Sequence, residues 1–199
     1  MTKIVGLTGG IGSGKSTVGK MLVAYGIPLY DSDLRARNLM NESSVIISNL
    51  KSWYGESIYQ EGLLDRKKLG TRVFKNPEEL TRLNQLTHPL VREDFTQWVH
   101  EQNTKFVIKE AAILFESGAY KQCNYIVTVS AEEQIRMNRV ISRDNTTDML
   151  VKDRMNKQWT DAQREAKSDY IIHNNTTLDE LKTQVDVLYQ HLNDIFKEN

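Results

Sequence analysis

A glycine-rich segment near the N-terminus limits what this chain can fold into. Residues 9–16 read Gly-Gly-Ile-Gly-Ser-Gly-Lys-Ser and follow the apolar run Lys3–Thr8, which predicts a buried parallel strand. Apolar residues at helical spacing continue from Lys15 to Tyr25, and Gly26 predicts the end of that helix. A glycine-rich turn between a strand and a helix is the context of a phosphate-binding loop, so the sequence predicts an α/β fold.

The residue types of this loop are suited to hold a nucleoside triphosphate. Glycines let the backbone curl so that successive N–H groups point at phosphate oxygens, and the following helix adds the positive end of its dipole. Lys15 can bridge the β- and γ-phosphates, and the Ser16 hydroxyl can bind Mg²⁺. We therefore expect ATP and Mg²⁺ as cofactors. The loop residues expected to bind the phosphates are Gly12, Ser13, Gly14, Lys15, Ser16 and Thr17.

The rest of the chain predicts a parallel sheet flanked by helices. Further strands are expected at 27–30, 106–109, 125–129 and 170–172, where short apolar runs occur. The stretch 34–104 contains no convincing strand, and helical signals dominate it. We expect one domain over 1–199, with a core of about 1–33 and 105–199 and a helical, substrate-binding insertion of about 34–104.

Caps and prolines predict the helix boundaries of this insertion. Asn76 followed by Pro77 predicts a helix start, because proline is favoured at the first helical position. His88 and Pro89 predict a break, since proline lacks a backbone N–H and collides with the preceding turn. A second helix is expected from Pro89 to about Gln102.

Two capping boxes are predicted in the C-terminal half. The first is Ser130-Ala131-Glu132-Glu133, which predicts the start of a helix that carries Arg136, Arg139 and Arg143. The more polar segment 144–168 predicts one or two short helices. Thr177-Leu178-Asp179-Glu180 predicts a closing helix. Its expected apolar stripe consists of Leu181, Val185, Leu188, Leu192 and Ile195.

The amino-acid composition argues against several classes of function and partner. Twenty-six basic residues balance 26 acidic ones, and this lack of a basic surplus argues against a nucleic-acid partner. The single cysteine, Cys123, excludes an intrachain disulfide. No stretch approaches the roughly 20 apolar residues of a membrane span, and the N-terminus lacks the pattern of a secretory signal. We expect no membrane partner, a cytoplasmic protein, and a monomer or weak homo-oligomer.

Carboxylates and guanidiniums outside the loop are further candidates for the site. Asp31 and Asp33 follow the second predicted strand, where ligands of open parallel sheets bind. Either carboxylate could accept a proton from an acceptor hydroxyl or hold water on Mg²⁺, or the turn could simply cap the next helix. Arg139 and Arg143 lie four residues apart on one helix, where guanidiniums could stabilise a transferring phosphate or only face solvent.

The class of phosphate-loop protein can be narrowed from missing motifs. A GTPase would need an Asp-x-x-Gly switch and an Asn-Lys-x-Asp guanine reader, and the chain has neither. A small-molecule kinase fits the length, with the insertion holding an acceptor and a lid at about 139–168. A nucleoside monophosphate kinase and a nucleotide-binding regulatory module remain alternatives.

Motifs spread over nearly the whole chain resemble those of the dephospho-coenzyme A kinase family. The resemblance includes Asp31-Ser32-Asp33 and Leu114-Phe115-Glu116. The other matching segments are Val5–Ser16, Ala36-Arg37, Arg72-Val73-Phe74, Asn76-Pro77, Leu86 before His88-Pro89, Gln134 with Arg139 and Arg143-Asp144, and Ile172 with Asn174. The family commonly has proline where Ala112 stands, and alanine where Ser32 stands.

This resemblance implies ATP-dependent phosphorylation of the ribose 3′-hydroxyl of dephospho-coenzyme A, the last step of coenzyme A synthesis. It implies that Asp33 is the catalytic aspartate and Arg139 the arginine of the lid, both acting with Lys15. It also places Asn174 near the ATP base, and we expect Arg143 to assist at the phosphates. The contributions of Glu110 and Glu116 to a metal site stay open at this stage.

Overall fold

A computed structural model of the chain describes residues 1–73 and 76–197. Phe74, part of one motif quoted above, lies outside the described residues. The chain divides into two units, Met1–Asp31 with Val99–Asn199, and Ser32–Trp98. The helices and strands are, in chain order, β1 (Lys3–Thr8), α1 (Lys15–Ala24), β2 (Leu29–Asp31), α2 (Ser32–Glu42), α3 (Ser44–Tyr54), β3 (Tyr59–Gln60), β4 (Leu63–Leu64), α4 (Arg66–Val73), α5 (Pro77–His100), β5 (Phe106–Glu110), β6 (Tyr125–Ser130), α6 (Glu133–Asp144), α7 (Asp148–Met155), α8 (Asp161–Glu165), β7 (Tyr170–His173) and α9 (Leu178–Ile195).

A parallel sheet organises the first unit. Within the described residues its strand order is β2-β5-β1-β6-β7, and every neighbouring pair is parallel. Every residue of β5 is buried, as expected for a strand covered on both faces. The buried core of this unit consists of Val5, Leu7, Val18, Leu22, Phe106, Ile108, Val127, Val129, Ile172, Leu181, Val185, Leu188 and Leu192. The predicted parallel sheet flanked by helices is therefore confirmed.

Register brings the carboxyl ends of three strands together. Glu110, the last residue of β5, is the Cα partner of Leu7 in β1 and of Asp31 in β2. Because ligands of open parallel sheets bind beyond these strand ends, the register defines where the site forms. The second strand was predicted at 27–30 and lies at Leu29–Asp31, so it ends one residue later than expected.

The capping box predicted at Ser130 is wrong. Ser130 is the last residue of β6 and pairs with His173 of β7, so its backbone stays extended in the sheet. The N-cap of α6 is Glu132, which makes no side-chain capping bond. A capping box does form before α8, where Thr160 Oγ1 accepts from the Gln163 N–H.

The closing helix α9 is confirmed. The Thr177 side chain accepts from the Glu180 N–H at its start. The predicted stripe residues Leu181, Val185, Leu188 and Leu192 are buried. Ile195, predicted in the same stripe, is 42% exposed. It is the last residue of α9.

A separate core holds the second unit together. Its buried residues come from α3, α4, α5, β4 and the 3₁₀ turn Glu56–Ile58, and are Ile46, Leu50, Ile58, Leu64, Leu69, Val73 and Leu83. The predicted break at Pro89 is wrong, because α5 continues through it. Leu86 and Leu90 pack against this core on either side of the proline. Their burial offsets the lost hydrogen bond, which costs about 3 kcal/mol in a helix interior.

The hairpin β3–β4 is a strand pair that the sequence did not predict. Tyr59 pairs with Leu64 and Gln60 with Leu63 in antiparallel register. The intervening Glu61 and Gly62 have φ of 51° and 81°. Positive φ at both turn residues matches the two-residue turns that suit hairpins, but glutamate at the first position is an unusual choice and hides the signal. Among the described residues, no helix is long and apolar enough to pass through a bilayer.

Candidate active site

The glycine-rich loop connects β1 to α1 at the carboxyl edge of the sheet. Gly12 and Gly14 have φ of 80° and 95°, in the left-handed region that favours glycine. Gly14 is the N-cap of α1, and neither a capping side chain nor an acidic residue occupies the first turn. The positive end of the helix dipole is therefore available to an anion.

Some backbone N–H groups of the loop donate to carbonyls of the loop itself, and others do not. Ser13 N–H donates to the Gly10 carbonyl at 3.0 Å, and Thr17 N–H to the Gly14 carbonyl at 2.9 Å. Among the described residues, no hydrogen bond uses the N–H groups of Gly12, Gly14, Lys15 or Ser16. These four amides are the ones free to bind phosphate oxygens.

The side chains of Lys15 and Ser16 converge on one carboxylate. Lys15 Nζ and Ser16 Oγ each donate to Glu110 Oε1 at 2.7 Å. The Lys15 side chain is 13% exposed and that of Glu110 is 4% exposed. This buried pair places a carboxylate, an ammonium group and a hydroxyl at the end of β5, beside the N-terminus of α1.

Asn174 links the loop to a predicted lid arginine. Its Nδ2 donates to the Ser13 carbonyl at 2.7 Å, and its Oδ1 accepts from Arg139 Nη2 at 3.4 Å. A Cβ on Gly14 would collide with the same amide, so the loop passes against Asn174 closely. Arg139 Nη1 is buried and has no hydrogen-bond partner among the described residues. A buried, unsatisfied guanidinium nitrogen next to the loop favours an anionic ligand there.

The other predicted arginine, Arg143, lies in a different cluster. It donates to both oxygens of Asp144, from Nε at 2.7 Å and Nη2 at 3.1 Å, and its side chain is 65% exposed. Arg154 Nη1 donates to the same carboxylate at 3.1 Å. The two guanidiniums lower the pKa of Asp144, and the bond to Asp144 raises that of Arg143. The structure thus joins Arg139, but not Arg143, to the loop.

The two candidate aspartates belong to different elements. Asp31 ends β2 and is in register with Glu110, so it belongs to the sheet edge described above. Asp33 lies in the first turn of α2, two residues later in the chain. Its backbone carbonyl accepts from Arg37 Nε at 3.0 Å. The role of Asp33 stays a prediction.

Sequence reasoning missed the partners of the loop. The sequence leaves a contribution of Glu110 to the metal site open, although its position at the end of a buried strand is a usable signal. Gln158 Oε1 accepts from the Ile11 N–H at 2.9 Å, across 147 residues of chain. A Cβ on Gly10 would collide with the guanidinium of Arg136. Nothing local in the sequence indicates the last two contacts.

Comparison with known proteins identifies relatives over nearly the whole chain. The family model for dephospho-CoA kinase matches residues 3–180. A dephospho-CoA kinase from Chlorobaculum tepidum is 39% identical over 197 residues, which cover 95% of this chain and 94% of the relative. The match includes both ends of the sheet and the intervening unit.

Solved structures agree in fold. Dephospho-CoA kinase from Campylobacter jejuni is 25% identical with a TM-score of 0.72, and the alignment covers 96% of this chain and 98% of that one. Shikimate kinase from Acinetobacter baumannii is 15% identical with a TM-score of 0.56, covering 100% and 97% of the two chains. The second likeness concerns the fold alone.

Proposed function

The chain belongs to the dephospho-CoA kinase family, and we propose that it transfers the γ-phosphate of ATP to the ribose 3′-hydroxyl of dephospho-coenzyme A. The products are coenzyme A and ADP, in the last step of coenzyme A synthesis. The observation that carries this proposal is the convergence of Lys15 and Ser16 on Glu110 in a phosphate loop of a chain that matches the family over residues 3–180. The loop accounts for the donor, and the family match supports the acceptor.

ATP binds through the loop in this proposal. The amides of Gly12, Gly14, Lys15 and Ser16 point to phosphate oxygens, and the α1 dipole favours their charge. Lys15 leaves Glu110 and binds the β- and γ-phosphates, which are the stronger anionic partner. Thr17 contributes through its hydroxyl, because its N–H already donates to the Gly14 carbonyl.

The oxygen donors at the loop fit Mg²⁺. This ion prefers oxygen ligands and takes one or two carboxylates from the protein, with phosphates and water completing its shell. The Ser16 hydroxyl and the Glu110 carboxylate lie 2.7 Å apart, oxygen to oxygen, at the mouth of the loop. We assign these two residues to the metal, which supplies positive charge for the phosphate oxygens when bound.

The acceptor hydroxyl is activated by Asp33 in this mechanism. Asp33 orients the 3′-hydroxyl or accepts its proton, and the hydroxyl oxygen then bonds to the γ-phosphorus. The bond between the γ-phosphorus and the β,γ-bridging oxygen breaks, and ADP leaves with that oxygen. Asp33 is proposed because it follows the end of β2 by two residues and matches the motif of the family.

Arginines of the predicted lid stabilise the transferring group. Arg139 is the first candidate, since its buried Nη1 has no hydrogen-bond partner in the described part of the chain, while its Nη2 lies 3.4 Å from Asn174 Oδ1 beside the loop. Asn174 holds the Ser13 carbonyl and borders the space for the ATP base. Arg143 must release Asp144 to reach a phosphate, so its part depends on movement of the lid at about 139–168.

A coupled ADP-release assay with several acceptors tests this function. We expect dephospho-coenzyme A to support turnover, with AMP, CMP and dTMP far less effective. If a nucleoside monophosphate is the preferred acceptor, the proposal of dephospho-coenzyme A as acceptor is wrong. ADP release without any acceptor would favour a regulatory module. Lys15→Ala is expected to lose ATP affinity and turnover together, and full activity in that variant would contradict the role of the loop. We further propose a cytoplasmic monomer or weak homo-oligomer.

A further inference from the structure

The two halves of the phosphate loop are held by different parts of the first unit. Asn174 contacts the second half through the Ser13 carbonyl. The first half is held from the segment 158–164, where Gln158 Oε1 accepts from the Ile11 N–H at 2.9 Å. The Ile11 N–H therefore already has an acceptor and is not among the loop amides that are free to bind phosphate.

Buried charges fix the segment 158–164 beside Gly10. The side chains of Arg136 and Arg164 are 11% and 1% exposed, and a Cβ on Gly10 would collide with the first and lie 2.8 Å from Nη2 of the second. Asp161 lies between them, with Oδ2 3.4 Å from Arg136 Nε and Oδ1 3.7 Å from Arg164 Nη2. The absence of a side chain at Gly10 lets this cluster approach the loop.

Glu116 is the fourth charged residue of this cluster, with Arg136, Asp161 and Arg164. Its Oε1 accepts from the Trp159 N–H at 2.8 Å, and the Trp159 ring stacks on Phe115 at 5.2 Å between centroids. Burial lowers the pKa of Arg164, while the carboxylates of Asp161 and Glu116 favour its charged form. With Arg136, the cluster contains two positive and two negative side chains. Glu116 therefore anchors this segment through the Trp159 N–H.

We propose that Gln158 is a positioning residue for ATP binding, which holds Ile11 so that the loop keeps the shape that receives the phosphates. Without an acceptor, the Ile11 N–H must turn toward water, and the loop then spends only a fraction of its time in the competent shape. The apparent Kd rises by the inverse of that fraction, while turnover at saturating ATP is preserved. This inference rests on the proposed function, since it concerns the nucleotide of the same loop.

Calorimetric titration of the whole protein with Mg·ATP, without acceptor, tests the role of Gln158. Gln158→Met keeps the size of the side chain but removes the acceptor, and we expect the Kd to rise about ten-fold. Gln158→Glu keeps an acceptor oxygen and should stay within about three-fold of the native Kd. Turnover at saturating ATP should stay within about two-fold in both variants.

Gln163→Met is the matched control, because Gln163 Oε1 accepts from the Thr160 N–H in the same segment, and among the described residues no hydrogen bond joins Gln163 to the loop. We expect its Kd to be native. Equal weakening in Gln158→Met and Gln163→Met, or in Gln158→Met and Gln158→Glu, would overturn the inference, as would a native Kd in Gln158→Met. Should Gln158→Met not fold, Gln158→Asn takes its place. The shorter side chain moves the amide oxygen away from the Ile11 N–H, and the same rise in Kd is expected. Tight ATP binding without phosphorylation of dephospho-coenzyme A would contradict the proposed function and leave this inference intact.

Discussion

The Glu110→Gln substitution removes one charge from the buried pair at the loop and keeps the shape of the side chain. Lys15 Nζ lies 2.7 Å from Glu110 Oε1, and the side chains are 13% and 4% exposed, so water screens the pair weakly. Breaking a buried pair by removing one partner costs about 3–5 kcal/mol. The glutamine oxygen can still accept from Ser16, so we expect the free energy of unfolding to fall by about 3 kcal/mol.

Urea denaturation of the ligand-free protein measures this effect, with a surface pair as control. Lys51 and Glu56 are also 2.7 Å apart, but their side chains are 35% and 82% exposed. Glu56→Gln should therefore change the free energy of unfolding by less than about 0.5 kcal/mol. Lys15→Met combined with Glu110→Gln removes both charges, and this double variant should recover most of the stability.

Two results would refute this reasoning. If Glu110→Gln and Glu56→Gln lower the free energy of unfolding by the same small amount, Lys15 is not held by Glu110 in solution. If the double variant is as unstable as the sum of the two single variants, the charges do not interact. In either case the convergence of Lys15 and Ser16 on one carboxylate would not describe the ligand-free loop.

Other substitutions test the acceptor, the loop and the partly buried thiol of Cys123. Asp33→Asn should lower turnover by roughly two orders of magnitude or more, with the Kd for ATP nearly native, and near-normal turnover would remove Asp33 from the mechanism. Gly14→Ala adds a Cβ at φ 95° that collides with Asn174, so it should lower the free energy of unfolding by about 2–4 kcal/mol. Gly26→Ala, at φ 80° with open space around it, should lower it by only about 1–2 kcal/mol, and equal losses would contradict the collision. Burial raises the pKa of Cys123 from 9.0 to about 11, so the contribution of the neutral thiol to stability is present below pH 9 and is lost as pH rises toward 11. Cys123→Ala should therefore flatten the decline of the free energy of unfolding over this pH range. An unchanged decline in that variant would show that the thiol is exposed.

Local signals predicted the elements that build the sheet. β1 and α1 were predicted because an apolar run, a glycine-rich turn and helical spacing follow one another without interruption. The predicted break at Pro89 is wrong because the local preference of proline is outweighed by packing on both sides of it, which a sequence does not display. The predicted capping box at Ser130 is wrong because pairing with β7 keeps that residue extended.

In the candidate site, too, local motifs could be predicted and tertiary contacts could not. Lys15 and Ser16 could be predicted as phosphate ligands, since the motif is contiguous in sequence. Their convergence on the Glu110 carboxylate could not be predicted, because Glu110 lies 95 residues from Lys15 and meets it only through the strand order of the sheet. Asn174 was placed near the ATP base by resemblance, while its hydrogen bond to the Ser13 carbonyl is a tertiary contact.

The most direct test of the proposed function is to identify the atom that receives the phosphate. The protein is incubated with Mg·ATP carrying a labelled γ-phosphate and with dephospho-coenzyme A, and the product is separated and analysed by mass spectrometry and phosphorus NMR. We predict one labelled phosphate on the ribose 3′-oxygen, formed in equal amount to ADP and absent with Lys15→Ala. ADP formation with dephospho-coenzyme A left unmodified, or label on any other oxygen, would contradict the account.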